Sequence, residues 1–371
     1  MMRGKLLKIS GLHGYDVTQA LSEICDDVES ASYDELRAGY AGLKAFYTDA
    51  FSKGMQSLGW DAQELYCDFE LLQKKWAQEN GARFEETTWR EDILTAQIKQ
   101  IKPDVVFSEN ISWAPLSLRK DRAREFPWVK ALVSQQGFPM WFKELKDADI
   151  VFSCIPSIAT VFRGWGINAH PVYYSFDPSI TDLLSGDNVK EHGFTFTGHS
   201  GYGLNWHHRT RYELLSRLLE DSLLEAWLTE RDMTLNPDIE TPLRERFPDR
   251  THPAVFGLDM YRLLERSRVI LNVHTDATWG YSGNMRMYEA TGMGACVLTD
   301  RTMNLDDLFE DGVEIVTYGS ADECLEKARY LLDNDKEREA IGQKAKARTM
   351  KDHTALNRCE EMDRLIMGQI G

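Results

Sequence analysis

Arg286 and Glu289 lie three residues apart in the run YSGNMRMYEATGMG, just downstream of the apolar segment RVILNV. Ser282, Gly283 and Asn284 open a helical pattern here. Gly283 lets a ligand approach the backbone closely, and Ser282 is placed to cap the helix. The free amides of such a helix start, together with its dipole, suit a diphosphate. Arg286 in the first turn adds a charge for phosphate oxygens. Glu289, five residues after Asn284, offers a carboxylate for two vicinal ribose hydroxyls. The same two side chains also fit an ordinary (i, i+3) surface pair, and spacing alone does not separate the readings.

Other groups fit the same chemistry less specifically. His274 ends RVILNVH, where α/β ligand sites form, and a satisfied structural histidine fits that position nearly as well. In PAVFGLDMYRLLERS, residues Val255–Gly257 could present backbone groups to a base, with Phe256 as an apolar wall; a helix entry with a buried Phe is the alternative. The segment FTFTGHSGYGLNWHHRTRYELL sets glycines 198, 201 and 203 between a strand and a helix, with Arg209 near the helix start. Its order, GxxGxG, is not the dinucleotide fingerprint GxGxxG, and no Walker A sequence occurs, which counts against dehydrogenase and P-loop readings. His207 and His208 are adjacent, so on a helix they point about 100° apart and are read as polar residues rather than metal ligands. Asp147-Ala148-Asp149 precedes a strand and is read as a turn.

Positioning these groups requires alternating strands and helices, and the chain has that pattern throughout. Strands are expected over Lys5–Ser10, Ala62–Tyr66, Val105–Ser108, Ala131–Ser134, Ile150–Ser153 and Ala169–Tyr173, with helices around Tyr33–Leu58, Thr88–Ile101 and Ile158–Trp165. In IKPDVVFS, Pro103 stops the helix and Asp104 turns the chain into a buried strand. Tyr174–Lys190 is polar and aperiodic and reads as a linker. A second series follows, with strands at Gly193–Thr197, Glu225–Leu228, Val269–Val273, Ala295–Thr299 and Glu314–Val316. Its helices are expected at Trp206–Glu220, Leu258–Ser267, Asn284–Met293, Asn304–Phe309, Ala321–Asn334 and Lys336–Ile370. The expected organisation is a first domain over residues 1–180, a second over 190–352, and a helix over 353–371 returning toward the first.

Composition bounds the function classes. The chain has 371 residues, 43% hydrophobic and 27% charged, enough for two α/β domains. No run approaches a membrane span, and the apolar stretch after Met1 is too interrupted for a signal peptide, so a cytoplasmic location is expected. The six cysteines, Cys25, Cys67, Cys154, Cys296, Cys324 and Cys359, form no CxxC pair and read as reduced, buried thiols. A net charge of −16 argues against a broad nucleic-acid surface.

The run GNMRMYEATGMGACVLTD, the following NLDDLFEDGVEIVTY and the later DKEREAIGQKAKARTMKDHT resemble the C-terminal signature of spore-maturation (CgeB-type) glycosyltransferases. The resemblance extends from about Val255 to His353; LQKKWAQENG and IKPDVVF carry it more faintly into the N-terminal half. It implies a GT-B fold, two Rossmann-like domains facing across a cleft, and a nucleoside-diphosphate sugar as donor, UDP being the expected nucleotide. It implies no metal and no other cofactor. Glu289 becomes the ribose ligand, with Asn284 and Arg286 beside the diphosphate or sugar and the turn Gly198-His199-Ser200 and Arg209 under the diphosphate. Phe256, Gly257, His274, Tyr281, Ser282 and Gly283 complete the expected donor site. One departure stands out. Many retaining enzymes of this fold place two glutamates eight positions apart; Glu289 matches the second, but the earlier position is Tyr281, so the retaining mechanism is not carried over.

An inverting transfer needs a base for the acceptor hydroxyl, and the acceptor of a two-domain glycosyltransferase normally binds the N-terminal domain. His13, Tyr15 and Asp16 in GLHGYD and Glu109 in SENIS are the candidates, with His13 and Glu109 preferred. The leading expectation is sugar transfer to a glycan, lipid-linked or protein acceptor in cell-surface polysaccharide or glycoconjugate assembly, with at most peripheral membrane association. A nucleotide-sugar epimerase of the same fold would turn over donor without acceptor. A non-catalytic nucleotide-sugar-binding protein would bind the nucleotide and transfer nothing.

Overall fold

Apolar runs that are buried on both faces set the frame of the first unit, Met1–Val172 with Ala355–Gly371. The computed structural model describes residues 3–12, 27–28, 30–45, 49–138, 143–184, 189–202, 206–230 and 241–371. Along the chain come β1 (Gly4–Ser10), α1 (Tyr33–Gly42), α2 (Ala50–Ser57), β2 (Trp60–Tyr66), α3 (Glu70–Asn80) and α4 (Trp89–Ile101). They are followed by β3 (Val105–Ser108), β4 (Ala131–Gln135), β5 (Ile150–Ser153), α5 (Pro156–Gly164) and β6 (Ala169–Pro171). The strands form one parallel sheet in the order β2-β1-β3-β4-β5-β6. Asp104 locks β3 beside β1: its carboxylate accepts from the Lys5 amide at 2.8 Å, and its own amide donates to the Lys5 carbonyl at 2.9 Å.

The single helix expected over Tyr33–Leu58 is two. Lys44 (φ 53°) and Asp49 (φ 51°) stand in the left-handed region between α1 and α2, and no helix continues through such residues. Helix α3 was not anticipated; it buries Leu72, Trp76 and Ala77 on one face and ends at Gly81.

The second unit, Tyr173–Thr354, contains β7 (His192–His199), α6 (Arg209–Glu220), β8 (Leu224–Thr229), β9 (Thr251–Pro253), α7 (Gly257–Arg266) and β10 (Ser267–Asn272). It continues with α8 (Met285–Gly292), β11 (Cys296–Asp300), β12 (Val316–Tyr318), α9 (Ala321–Asp333) and α10 (Asp335–Asp352). Its parallel sheet has the order β12-β11-β10-β7-β8-β9, in which sequence order reverses between β10 and β7. The short β9 escaped the sequence reading because it ends in Pro253, which a sheet tolerates at an edge. The strand expected at Glu314–Val316 is shifted to Val316–Tyr318, and the helix expected over Asn304–Phe309 is a 3₁₀ turn at Leu305–Asp307. Phe176 and Ile180, from the segment read as a linker, are buried in this unit's core against Tyr261, Leu264 and Tyr288.

The helix expected over Lys336–Ile370 divides into α10 and α11 (Ala355–Ile370). At the break the His353 carbonyl accepts from the Phe176 amide at 2.9 Å rather than extending a helix. Helix α11 belongs to the first unit, where Asp363 accepts from Trp60 Nε1 at 2.8 Å and pairs with Arg3 at 2.9 Å. The cysteines among the described residues are buried, and burial pushes the Cys296 and Cys359 thiols up to about 12. No helix among the described residues is long and apolar enough to cross a membrane.

Helix α10 approaches β11 through Gly342, where a Cβ would lie 2.5 Å from the Gly294 carbonyl oxygen and 3.3 Å from the Cys296 amide. Alanine would gain up to about 1 kcal/mol of helix propensity there. The contacts are backbone on a packed layer, and forced overpacking costs about 1–3 kcal/mol. We therefore expect Gly342→Ala to lower stability in urea unfolding; an unchanged or raised midpoint would contradict this packing.

Candidate functional site

In open α/β sheets the ligand crevice lies beyond the carboxyl ends of the strands where the order reverses, here at β7 and β10. β7 runs out through Gly198 and His199 into Ser200 and Gly201. Gly201 has φ +95°, and a Cβ there would lie 2.6 Å from the His208 carbonyl oxygen, so the turn folds tightly onto the start of α6. Its amide donates to His199 Nδ1 at 2.9 Å, and the buried Ser200 donates its amide to the Thr229 carbonyl at 3.2 Å.

Arg211, one turn into α6, ties the two strand ends together. It donates through Nη2 to the Val273 carbonyl at 2.7 Å and through Nη1 to the His199 carbonyl at 3.4 Å. Burial pulls its guanidinium down to about 10, with Asp300 opposing, so it stays charged at neutral pH. Arg209, the residue singled out in the sequence, is exposed and bonded to Glu213 at 2.8 Å on the same helix. The first turn of α6 already holds a carboxylate, since Asp276 accepts from the Thr210 amide at 3.1 Å. Burial, then Arg211, His199 and His207, push the His208 imidazole down to about 3, so it is neutral. Among the described residues no group of three His, Cys, Asp or Glu side chains has the arrangement of a metal site.

Helix α8 starts at Met285, with Asn284 at its N-cap and no side-chain cap. Asn284 Nδ2 donates to Asn272 Oδ1, at the end of β10, at 2.6 Å, while its own Oδ1 is buried and has no partner among the described residues. Ser282 does not cap the helix as expected. Asn304 grips its backbone from both sides, accepting from the Ser282 amide at 2.7 Å and donating to its carbonyl at 3.2 Å. That grip turns the Ser282 hydroxyl onto Thr302.

Arg286 reaches back to the end of β7, donating Nε to the Thr197 carbonyl at 3.3 Å, and bonds Glu289 Oε2 through Nη1 at 2.6 Å while touching Met260. Glu289 Oε1 accepts from the Tyr261 hydroxyl at 3.3 Å. Burial, then the Glu289 charge, push the Tyr261 phenol well above its usual range, so it serves as a neutral donor. With Glu289 only 6% exposed, the surface-pair reading is overturned. The pair is internal, and Arg286 spans from α8 to the rim of β7.

His274 stands two residues beyond β10. Its Nδ1 lies 2.9 Å from Asp300 Oδ1, which also accepts from the His274 amide at 3.0 Å. Burial would raise the Asp300 carboxyl, but the His274 charge and hydrogen bonds hold it below the usual carboxylate value.

The structure thus gathers Gly198, His199, Ser200, His274, Asn284, Arg286 and Glu289 around the ends of β7 and β10. Gly283 is buried and Tyr281 half-buried in the loop before α8. Phe256 is half-buried at the N-cap of α7, whose first residue is Gly257. His13, Tyr15, Asp16 and Gly203 lie outside the described residues. Arg211, Asp300, Tyr261 and Asn304 were missed. Only Asp300 carried a signal, as the last residue of an apolar strand. In the first unit, Glu109 follows β3, and its Oε1 accepts from Lys8 Nζ at 2.8 Å. Asp149 of the DxD-like triplet is held by Arg122, Nη2 to Oδ1 at 2.9 Å, and accepts from the Leu132 amide.

Residues 194–364, a little under half of the chain, match the family model described as "Glycosyl transferase-like". The fold recurs in HepE (Alr3699) of Anabaena, solved with UDP-glucose: 12% identity, 99% of this chain and 100% of that one, TM-score 0.60. It recurs in a glycosyltransferase from Rickettsia africae ESF-5 at 9% identity, 98% of both chains and TM-score 0.59. AviGT4, a glycosyltransferase involved in avilamycin A biosynthesis, shares it at 14% identity over 97% of this chain and 96% of its own, TM-score 0.56. No curated protein matches the sequence. The two parallel six-stranded Rossmann-like units have the GT-B fold of these glycosyltransferases, and the second unit carries the glycosyltransferase-like match.

Proposed function

We propose that this chain transfers a sugar from a nucleoside-diphosphate donor, with UDP as the nucleotide, to a glycan, lipid-linked or protein acceptor. In this reading it works in the cytoplasm, without a metal, in the spore-maturation (CgeB-type) branch. The observation that carries the proposal is the internal Arg286–Glu289 pair at the first turn of α8, with Arg286 anchored to the end of β7 at the switch point. A guanidinium beside uncapped helix amides suits a diphosphate, and a buried carboxylate a turn later suits a ribose. HepE, with the same fold, binds UDP-glucose, and the GNMRMYEATGMG motif supports the branch.

The donor side is the second unit: the Gly198–Ser200 turn, His274, Asn284, Arg286 and Glu289, with Phe256 and Gly257 toward the base. Transfer breaks the bond from the anomeric carbon to the diphosphate and forms one to the acceptor oxygen, whose proton goes to a base. His13 is the proposed base, since the Glu109 carboxylate is committed to Lys8.

Thermal unfolding with UDP, GDP, dTDP, CMP and NAD tests the donor reading. A ligand at 100 times its Kd stabilises the native state by about 2.7 kcal/mol. UDP should raise the melting temperature and NAD should not. No shift with any nucleoside diphosphate would defeat the proposal. Binding with hydrolysis or epimerisation of a UDP-sugar, but no transfer to any acceptor, would favour the other two activities.

A further inference from the structure

We infer that His274, held by Asp300, is a dedicated hydrogen-bond donor to the terminal phosphate of the nucleotide, and that Asp300 is its positioning residue. This inference rests on the donor-binding reading above and deepens it. The His274 side chain is 2% exposed, and its two ring nitrogens have different fates. Nδ1 meets Asp300 Oδ1 at 2.9 Å, on the neighbouring strand β11, whereas Nε2 is buried and has no hydrogen-bond partner among the described residues. A histidine kept for structure pairs its buried nitrogens. One whose Nδ1 is fixed by a carboxylate and whose Nε2 is open is built to hold a proton at a defined point.

That point is the end of β10. Asn284 Oδ1, also buried and without a partner among the described residues, belongs to a side chain bonded to Asn272 at the end of the same strand. Two orphaned, buried polar atoms near one strand end indicate a polar ligand that supplies their partners. The flanking charges favour an anion. Arg211 is bonded to the Val273 carbonyl next to His274, and Arg286 is bonded to the Thr197 carbonyl on the adjacent strand. The carboxylates have partners within the protein: Asp300 on His274, Asp276 on the Thr210 amide, Glu289 on Arg286 and Tyr261.

A ring that carries a proton on each nitrogen would donate Nδ1–H to Asp300, whose carboxylate offsets its charge, and present Nε2–H outward. As the bond from the anomeric carbon to the phosphate oxygen breaks, the electron pair moves onto that oxygen. The Nε2–H then donates its hydrogen bond where negative charge grows. The acceptor's proton goes to the base, and the imidazole gains and loses no proton overall.

The inference separates the terminal phosphate from the rest of the nucleotide, so affinities for UDP and UMP test it. In His274→Asn the shorter amide can still donate to Asp300, but the atom at Nε2 is gone. UDP affinity should fall about 10-fold or more, the value of one charge-assisted hydrogen bond, while UMP affinity changes less than about 2-fold. Asp300→Asn should lose UDP affinity in the same direction, and the double variant should be no weaker than His274→Asn, as expected of groups acting as one unit. Asp300→Asn leaves the imidazole in place and carries the test if His274→Asn does not fold. Equal losses for UDP and UMP, or an unchanged UDP preference, would overturn the inference while the donor reading stands. A wild-type protein that binds no nucleoside diphosphate would overturn both.

Discussion

Replacing Lys8 by methionine should destabilise the first unit by about 3–5 kcal/mol, the usual cost of stripping one partner from a buried ion pair. Lys8 is on β1, between β2 and β3, and its ammonium lies 2.8 Å from Glu109 Oε1 and 3.7 Å from Glu64 Oε1. The three side chains are 3%, 10% and 4% exposed, so solvent screens little of the interaction. Methionine matches the stem of lysine and leaves almost no cavity; the penalty is the two stranded carboxylates. Glu64 cannot move away, because it also accepts from the Ser52 amide at 3.1 Å and the Asp49 amide at 3.3 Å at the start of α2. Burial would lower the Lys8 ammonium, but Glu109 and Glu64 outweigh it and hold the charge on; burial raises the Glu64 carboxyl even with Lys8 opposing.

The pH dependence follows from that last direction. A carboxyl whose folded pKa is raised contributes stability below its unfolded value and loses it as pH rises through the folded value. Without Lys8 the folded value rises further, so the deficit of Lys8→Met should be smaller near pH 5 than at pH 8. Urea unfolding at both values decides; equal losses would mean that packing, not charge, sets the cost.

Much of the frame was legible because parallel strands buried on both faces show as unbroken apolar runs, as in VVFS and RVILN. What the sequence hid is what topology creates. Asp300 ends one strand and His274 follows another, and only the adjacency of β10 and β11 makes them partners. Arg211 and Arg209 are equally basic and two residues apart. Their helix turns one into the strand ends and the other to solvent, which a run of charges does not reveal without knowing the buried face. Lys8 in GKLLKIS lies on an interior strand, and its buried charge is explained only by residues 56 and 101 positions away. The (i, i+3) spacing of Arg286 and Glu289 implied a pair; that it is internal depends on Tyr261 and Met260 of α7, which no local pattern connects to it.

Glu289→Gln should weaken UDP binding by about 10- to 100-fold, the range of a hydrogen bond to a charged group. The carboxylate looks fully engaged, with Arg286 at 2.6 Å on Oε2 and the Tyr261 hydroxyl at 3.3 Å on Oε1. A carboxylate has about four acceptor sites, however, so two remain for a pair of vicinal hydroxyls without releasing either partner. Arg286 fixes the plane of the group, and Tyr261, held as a neutral phenol, cannot compete as a base. Glutamine keeps the shape but must turn its oxygen toward Arg286. Its amide nitrogen then faces Tyr261 and the ligand, and acceptors are lost where the hydroxyls would donate. The apo variant should also unfold at lower temperature, because a partly exposed guanidinium loses its ion pair, and that alone would not distinguish a ribose ligand from a structural carboxylate. The 2′-hydroxyl does. Wild-type protein should prefer UDP to 2′-deoxy-UDP, and in Glu289→Gln that preference should collapse. If both nucleotides weaken together and the preference survives, Glu289 supports α7 against α8 and the ribose is bound elsewhere.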